Sequence, residues 1–411
     1  MLSPNLDSAE THRAYEALEG LVQGEEGLRT GPFGSELGRK DYRAKGVPVV
    51  MPRDLVDGGI RRRTLVRVDP AKAEELDRYR LRPGDILLSR RGRLGRCAQV
   101  TEAEAGWLCG TGCFRLRLND RIEPSYLVHY LRWEGMVHWL TEHAVGQTMA
   151  NLNTRTVAQM PIWLPPRSQQ LRLARLFDRL DQAIRLRKEQ LELGGRLQAT
   201  LMRDLVNGTR QGHGMPEGWQ MKELGKICHL VNGHRFHSDD WTDAGLPIIR
   251  IQNLNGSNEY PYFSGYVKSS WWVSPGDLLL AWSGARAALG PTLWRGPKGV
   301  LNQHIFRIEP FEGVNVRWLF EALRALAPHL RPLAHGMKEN YVHLRKGELL
   351  RFPLAVPPVD EQEQIARWSV LLEKRQNLRE QRIDCLLDLR RGLRNEIFFG
   401  RKSSAPMDLT A

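Results

Sequence analysis

The longest regular alternation of apolar and polar positions in this chain occurs twice. The first copy runs from Leu164-Pro165-Pro166-Arg167 to Val206-Asn207-Gly208, and the second from Val356-Pro357-Pro358-Val359 to Phe398-Phe399-Gly400. The copies superpose without a gap at one constant shift (357 − 165 = 192), which sets Pro161 on Pro353, Gln170 on Gln362, Ala174 on Ala366, Arg187 on Arg379 and Gly208 on Gly400. Each reads as a helix: prolines at its start, where the first N–H groups lack partners anyway, then a polar turn, then an apolar-periodic run ending at Gly. About 40 residues without proline would reach ~60 Å at ~1.5 Å per residue. In the first helix a seam passes through Leu173, Phe177, Leu180, Ile184, Leu191, Leu201 and Leu205, broken at Arg187, Gly194 and Gln198. The second carries Ile365, Trp368, Leu371, Leu372, Leu378, Ile383, Leu386, Leu389, Leu393 and Ile397. One apolar stripe against a charged face predicts that the two helices pack together as an antiparallel coiled coil.

The same shift continues outside the helices. Residues from Asp7 to about Leu21 read as a short helix with Ala14, Leu18 and Leu21 on one face. Short strands are predicted at Val47–Met51, Ile60–Val68, Ile86–Leu88, Cys97–Val100 and Phe114–Leu118, and a helix at Pro124–Leu140. After a Gly-rich linker from Asn207 to Gly218 the order recurs, with strand text at Trp219–Val231, Leu246–Arg250, Leu278–Leu280 and Asn302–Ile308 and a helix at Val314–Leu330. The turn Arg82-Pro83-Gly84-Asp85 is answered by Ser274-Pro275-Gly276-Asp277 (276 − 84 = 192). The fold class expected is therefore α+β: a pseudo-twofold tandem repeat of two similar domains separated by two long helices. The boundaries are 1–161 for the first domain, 162–208 for the first helix, 209–352 for the second domain, 353–401 for the second helix and 402–411 for a flexible tail. The loops differ far more than the frames, which predicts two domains of one fold that bind different things.

Charge sharpens this picture. The chain of 411 residues carries a formal net charge of +13, with arginine outnumbering lysine. A basic surplus of that size favours a polyanion, and the planar guanidinium suits phosphates and guanine edges. Five scattered cysteines, Cys97, Cys109, Cys113, Cys228 and Cys385, argue for a reducing, cytoplasmic setting and against a disulfide framework. Cys109 and Cys113, and Cys228 with His229, His234 and His237, lack the paired spacing of a structural zinc site. No apolar run is long enough to span a membrane.

The chain resembles the DNA-specificity subunits of type I restriction–modification systems. The residues that carry this are the two Pro-Pro helices with Gln170 and Gln362, Glu361 before the second of these, and Gly218-Trp219 opening the second domain. Gly31-Pro32-Phe33-Gly34-Ser35, the two Gly-Asp-(Ile/Leu)-Leu-Leu strands, Leu301–Phe306 and His343–Lys346 match as well. Two departures stand out: the first domain has no Gly-Trp opening, and Gln169 occupies the position of Glu361. The resemblance implies two target-recognition domains, each reading one half of a split, asymmetric double-stranded DNA site. It implies helices that dock two methyltransferase (modification) subunits, and restriction/translocase subunits that join them. Adenine methylation from S-adenosylmethionine would then belong to the partner, with no cofactor on this chain. The residues agree, since neither an Asn/Asp-Pro-Pro-aromatic motif nor a phosphate-binding Gly-x-x-x-x-Gly-Lys-Ser/Thr loop is present. Two other readings stay open from sequence: a restriction–modification enzyme with catalysis on the same chain, and a generic basic nucleic-acid-binding protein.

Candidate DNA contacts follow from chemistry. Ser89, Arg90, Arg91 and Arg93 lie in a Gly-containing loop after a strand, where arginines can reach phosphates and the guanine edge. The corresponding loop of the second copy, with Ser283 and Arg286, is far less basic. Further candidates in the first domain are Ser35, Arg39, Lys40, Arg61, Arg62, Arg63, Gln147, Thr148, Asn151 and Asn153, and in the second His234, Arg235, Asn253, Lys338, Asn340 and Tyr341. Asn and Gln can grip adenine, yet they are equally common as turn formers. Trp271, Trp272 and Trp282 read as packing. A ~60 Å spacer is a little under two turns of B-DNA at ~34 Å per turn, which predicts half-sites about a turn apart.

Overall fold

A computed structural model describes residues 14–146, 150–208, 215–285, 288–330, 335–338 and 341–399. Two compact units emerge, Met1–Lys188 with Arg382–Ala411, and Glu189–Gln381. Each holds one α+β domain and a portion of each long helix.

In the first unit a four-stranded antiparallel sheet runs in the order Leu28–Thr30, Cys113–Leu116, Ile86–Ser89, Cys97–Gln99. A three-stranded sheet orders Val66–Val68, Val47–Val50 and Leu108–Cys109, the last pair parallel. The strand Ile86–Ser89 is buried throughout because its two faces serve two cores. Ile86 and Leu88 point into a cluster with the helices Pro124–Leu131 and Glu134–Glu142, while Leu87 packs with Val49, Val50 and Leu108 of the smaller sheet. Phe177 and Phe398, from the two long helices, are buried in the first cluster with ring centroids 5.6 Å apart.

The second unit repeats this plan. Its antiparallel sheet runs Cys228–Asn232, Ile305–Pro310, Leu278–Ala281, Gly290–Leu293, and Leu278 and Leu280 face one core while Leu279 faces another. A second sheet orders Tyr262–Phe263, Leu246–Ile249, Gly299–Leu301 and Trp272–Val273. Both Pro-Gly-Asp turns form as expected. Gly84 and Gly276 take φ of 88° and 99°, and Asp85 and Asp277 accept from the backbone N–H of Arg82 and Ser274 at 2.8 Å.

The long helices span Arg167–Asn207 and Val359–Phe399. Gly208, at φ 62°, stops the first. Within each unit their segments run antiparallel. In the first unit Phe177 meets Phe398 and Asp181 meets Arg390. In the second, Gln376 Nε2 donates to Leu191 O at 3.3 Å while Met202 and Val206 share a core with Ile365.

Several expectations need correcting. The reading of Asp7–Leu21 as a helix fails over its described part: Tyr15–Ala17 is a strand paired with Pro161–Trp163, and Leu18–Leu21 is a single 3-10 turn. An i, i+3 spacing fits one such turn as well as a helix. The equivalent pairing in the second unit joins Gln220–Glu223 to Pro353–Val356. The run Ile60–Val68 divides into Gly59–Ile60 and Val66–Val68, with Arg61 to Arg63 in the connecting turn. The helix Pro124–Leu140 breaks at Trp133, whose extended backbone starts Glu134–Glu142 and whose indole donates to Asn395 at 2.9 Å. The strand at Asn302–Ile308 begins only at Ile305 and reaches Pro310.

The seam also shifts. Ala174, Phe177, Ile184, Met202 and Val206 are buried on the first helix, while Leu201 is exposed. On the second, Trp368, Leu371, Leu378 and Leu389 lie outside, whereas Gln362, Ser369 and Arg394 are buried. A helix of 3.6 residues per turn drifts away from a strict 3.5 repeat, and here the domain cores, rather than the heptad, select the buried face. The tail 402–411 lies outside the described residues.

Candidate nucleic-acid interface

The loop after Ile86–Ser89 is built on two glycines with positive φ, Gly92 at 78° and Gly95 at 75°. A Cβ on Gly95 would stand 2.5 Å from Val137 Cγ2, so the loop is pressed onto the helix Glu134–Glu142. Ser89 is fully buried and donates its hydroxyl to Arg93 O at 2.9 Å, so its side chain holds the loop from within. Arg90 is half-buried, donating from Nε to Leu152 O at 3.2 Å and lying 5.7 Å from the Phe33 ring. Arg91 pairs through its backbone with Asn151, and both Arg91 and Arg93 are exposed. The loop Gly31–Ser35, the Arg90–Arg96 loop and the segment around Asn151 are thereby gathered at one place. Phe33 is 57% exposed there, an aromatic that residue type alone did not single out.

The other candidates of this unit are spread more widely. Ser35, Arg39 and Lys40 are exposed, the last two on the 3-10 turn Arg39–Asp41. Arg61 and Arg63 are exposed, whereas Arg62 bonds Glu104 at 2.6 Å and lies over Trp107. Glu104 is held below the usual carboxylate range: burial opposes this, but Thr101 and Arg62 donate to it. Asn153 caps the helix Thr154–Ala158, accepting from Thr156 N at 2.7 Å, which is a local structural task. Gln147 and Thr148 lie outside the described residues.

In the second unit the equivalent loop forms a strand. Ser283–Gly284 pairs with Tyr341–His343, Ser283 opposite His343. The positions match those of the first unit (283 − 91 = 192 and 343 − 151 = 192), so Arg91 with Asn151 corresponds to Ser283 with His343. His343 thus joins the candidates through the repeat, a signal present in the sequence all along. Ser283 itself is buried in this pairing. Asn253 is buried too and fully engaged: its Oδ1 accepts from Arg250 N at 2.9 Å, and its Nδ2 donates to Ser257 O at 3.0 Å and Glu259 O at 2.9 Å. Asn253 serves the frame because its polar atoms are spent inside it, and Ser283 is turned inward by burial. His234 stacks on Trp271 with ring centroids 3.8 Å apart, and burial lowers its imidazole below the ordinary value. Arg235 beside it is exposed. Lys338 and Tyr341 are paired in the hairpin His335–Lys338/Tyr341–His343, while Arg286 and Asn340 lie outside the described residues.

The tryptophans are packing residues. Trp282 stacks on Phe306 and donates to Gln303 O at 3.0 Å, and Trp272 lies under Lys298. Cys97, Cys109, Cys113 and Cys228 are buried, and burial pushes the Cys97, Cys109 and Cys228 thiols up to about 12. Among the described residues no group of three His, Cys, Asp or Glu side chains is placed to hold a metal, and no helix is long and apolar enough to cross a membrane.

Residues 49–193 and 216–384 match the family described as the type I restriction modification DNA specificity domain. A Methanocaldococcus jannaschii protein named as the MjaX type I restriction enzyme specificity subunit is 25% identical over 393 residues, covering 89% of this chain and 87% of its own. The EcoBI specificity subunit of Escherichia coli is 28% identical over 169 residues, 40% of this chain and 34% of its own. In fold, the chain is similar to a solved chain from a type I restriction–modification system, with TM-score 0.64, 20% identity and coverage of 94% and 97%. It is also similar to the type I system S subunit from M. genitalium, with TM-score 0.56, 13% identity and 97% coverage of each chain. The chain belongs to the type I restriction modification DNA specificity domain family, and the relatives named above are specificity subunits of type I restriction enzymes.

Proposed function

We propose that this chain reads a bipartite, asymmetric double-stranded DNA site and scaffolds the methyltransferase and restriction subunits of a type I complex in the cytoplasm. The domain at 1–161 reads one half-site and the domain at 209–352 the other. The observation that carries this reading is one frame built twice with a different surface at equivalent positions: an exposed Arg91 beside Asn151 in the first unit, and a buried Ser283 beside a half-buried His343 in the second. Two copies of one frame with unlike loops suit two unlike half-sites. Arg91 and Arg93, exposed beside Phe33 and Asn151, are the first domain's leading contacts, with Ser35, Arg39, Lys40, Arg61 and Arg63 around them. In the second domain Arg235, His343, Lys338 and Tyr341, with Arg286 and Asn340, take that role.

The two long helices act as one antiparallel spacer and as the platform for the partner subunits. Leu193, Leu197, Trp368, Leu371 and Leu378 are exposed on them, apolar area that a docked partner would cover. S-adenosylmethionine and the methyl transfer belong to that partner.

Titrating the chain with duplexes that differ by single base pairs tests the reading. Discrimination at two separate blocks is expected, ~1–3 kcal/mol per mismatched pair. Joint replacement of Arg91 and Arg93 by Ala should weaken binding about tenfold or more and flatten its salt dependence, with the melting temperature unchanged. Unchanged binding removes the loop from the site. Methyl transfer by the isolated chain, without a partner, would overturn the non-catalytic scaffold.

A further inference from the structure

Arg93 belongs to a second feature besides the loop surface. With Arg96 it lines a cleft of about 820 Å³ in the first unit. Arg61 enters this cleft from its turn, Arg132 from the end of Pro124–Leu131, and Arg390, Arg391 and Arg394 from the end of the second long helix. Against these seven arginines the lining supplies two carboxylates, Asp57 and Glu134.

The imbalance persists at depth. Arg132, Arg390 and Arg394 converge on Asp181 at 2.7, 2.5 and 3.7 Å, and among the described residues only Arg132 of the three reaches a second acid, Asp57 at 3.9 Å. The neighbouring Asp178 is already committed, accepting from Ser125 and from the His129 ring. Arg394 is only 7% exposed, its Nη2 donates to His129 Nδ1 at 3.0 Å, and its Nε–H is buried with no acceptor. Burial, followed by the adjacent Arg132, lowers this guanidinium to about 10. Cations crowded into such a place are costly to hold unless an anion completes the cluster.

We propose that this cleft is an anion site that takes a backbone phosphate of DNA, so that the C-terminal part of the second long helix is itself a DNA-contacting element. The inference rests on the DNA-reading function proposed above and adds four arginines that no loop comparison suggests. A phosphate diester fits because guanidinium forks bind its oxygens in pairs. The shared Arg93 places that phosphate next to the bases the loop reads. Contact of this kind positions the duplex without reading it. The helix that spaces the domains would thereby also fix the register of the duplex.

The test uses the full chain, a cognate duplex and the exchanges Arg390→Gln and Arg391→Gln, alone and together, with Arg394 left in place. Binding is measured over a potassium chloride series. The double variant should bind about tenfold more weakly near physiological salt, with a log–log salt slope shallower by about one to two. Its preference between cognate and single-base-changed duplexes should stay as in the parent. An unchanged affinity and slope overturns the proposal. So does a preserved slope with lost methyltransferase binding, which marks a protein-docking site. If millimolar inorganic phosphate raises the melting temperature of the parent but not of the variant, while DNA binding is equal in both, the site takes free phosphate and the DNA assignment falls. Arg390→Lys, which keeps the charge, should retain the parental slope, and it controls for variants that fold poorly. Failure of the underlying DNA reading shows differently, as a parent chain without any base preference.

Discussion

At residue scale the proton on His129 is placed by its neighbours. Arg394 can only donate, so His129 Nδ1, 3.0 Å away, accepts, and Nε2 carries the proton toward Asp178 Oδ1 at 2.8 Å. Burial lowers this imidazole below its ordinary value; the Asp178 hydrogen bond opposes the shift and the Arg394 cation adds to it. The unfolded chain therefore binds the proton more readily than the folded one. The stabilisation is present above the unfolded value of ~6.5 and is lost as pH falls through the folded value. Urea unfolding of the parent should show falling stability between pH 7.5 and pH 5.5, and His129→Gln should show a shallower fall; equal slopes would remove His129 as a cause. What sequence legibility missed at this scale is burial. Ser89, Ser283 and Asn253 have the right atoms for DNA contact, but tertiary packing turns those atoms inward, and no local spacing announces it. Arg91 and Arg93 were legible because a Gly-rich basic loop after a buried strand must lie at a surface.

Among the elements, the Pro-Pro helix start has one construction in both units. Gln170 Oε1 accepts from Glu123 N and Gln362 Oε1 from Asn315 N, each at 2.8 Å. Their amide nitrogens donate back to Pro165 O at 2.8 Å and Pro357 O at 2.9 Å. Both glutamines are almost fully buried, so each joins the helix start to the loop that begins the domain's own helix. Gln170→Ala or Gln362→Ala should cost ~1–3 kcal/mol, because backbone groups are left buried without partners. A loss below about 0.5 kcal/mol in urea unfolding would contradict that role. The two residues that the first copy lacks are bonded to each other in the second. Trp219 Nε1 donates to Glu361 Oε2 at 3.0 Å, and the first copy, which has Gln169 at the position of Glu361, also has no Gly-Trp. The helix bounds were legible because proline and glycine act locally. The buried face was not, since Ser369, Glu373 and Arg394 turn inward to meet partners contributed by distant segments, such as Arg317 and His129.

At the scale of the whole molecule, one constant shift in the sequence corresponds to one topology built twice. The antiparallel four-stranded sheet of each unit has the same strand order, and the buried glutamines Gln170 and Gln362 and the paired loop positions repeat with it. The tandem architecture was therefore legible without any structure. The start of the first domain was not, because the strand Tyr15–Ala17 is defined by its pairing with Pro161–Trp163, far away in the chain. The DNA target also stays outside sequence logic, since loop geometry rather than spacing sets which bases are met. The central claim is that two domains read two half-sites across a gap set by the long helices. It is tested most directly by mapping methylated adenines in DNA from cells that carry this chain with its methyltransferase partner, beside a variant with four residues inserted after Gly195. The insertion adds ~6 Å of helix, about two base pairs of B-DNA. The account predicts a split motif in the parent, and the same two halves with a longer gap in the variant. A single uninterrupted motif, or a gap that does not respond to the insertion, would contradict it.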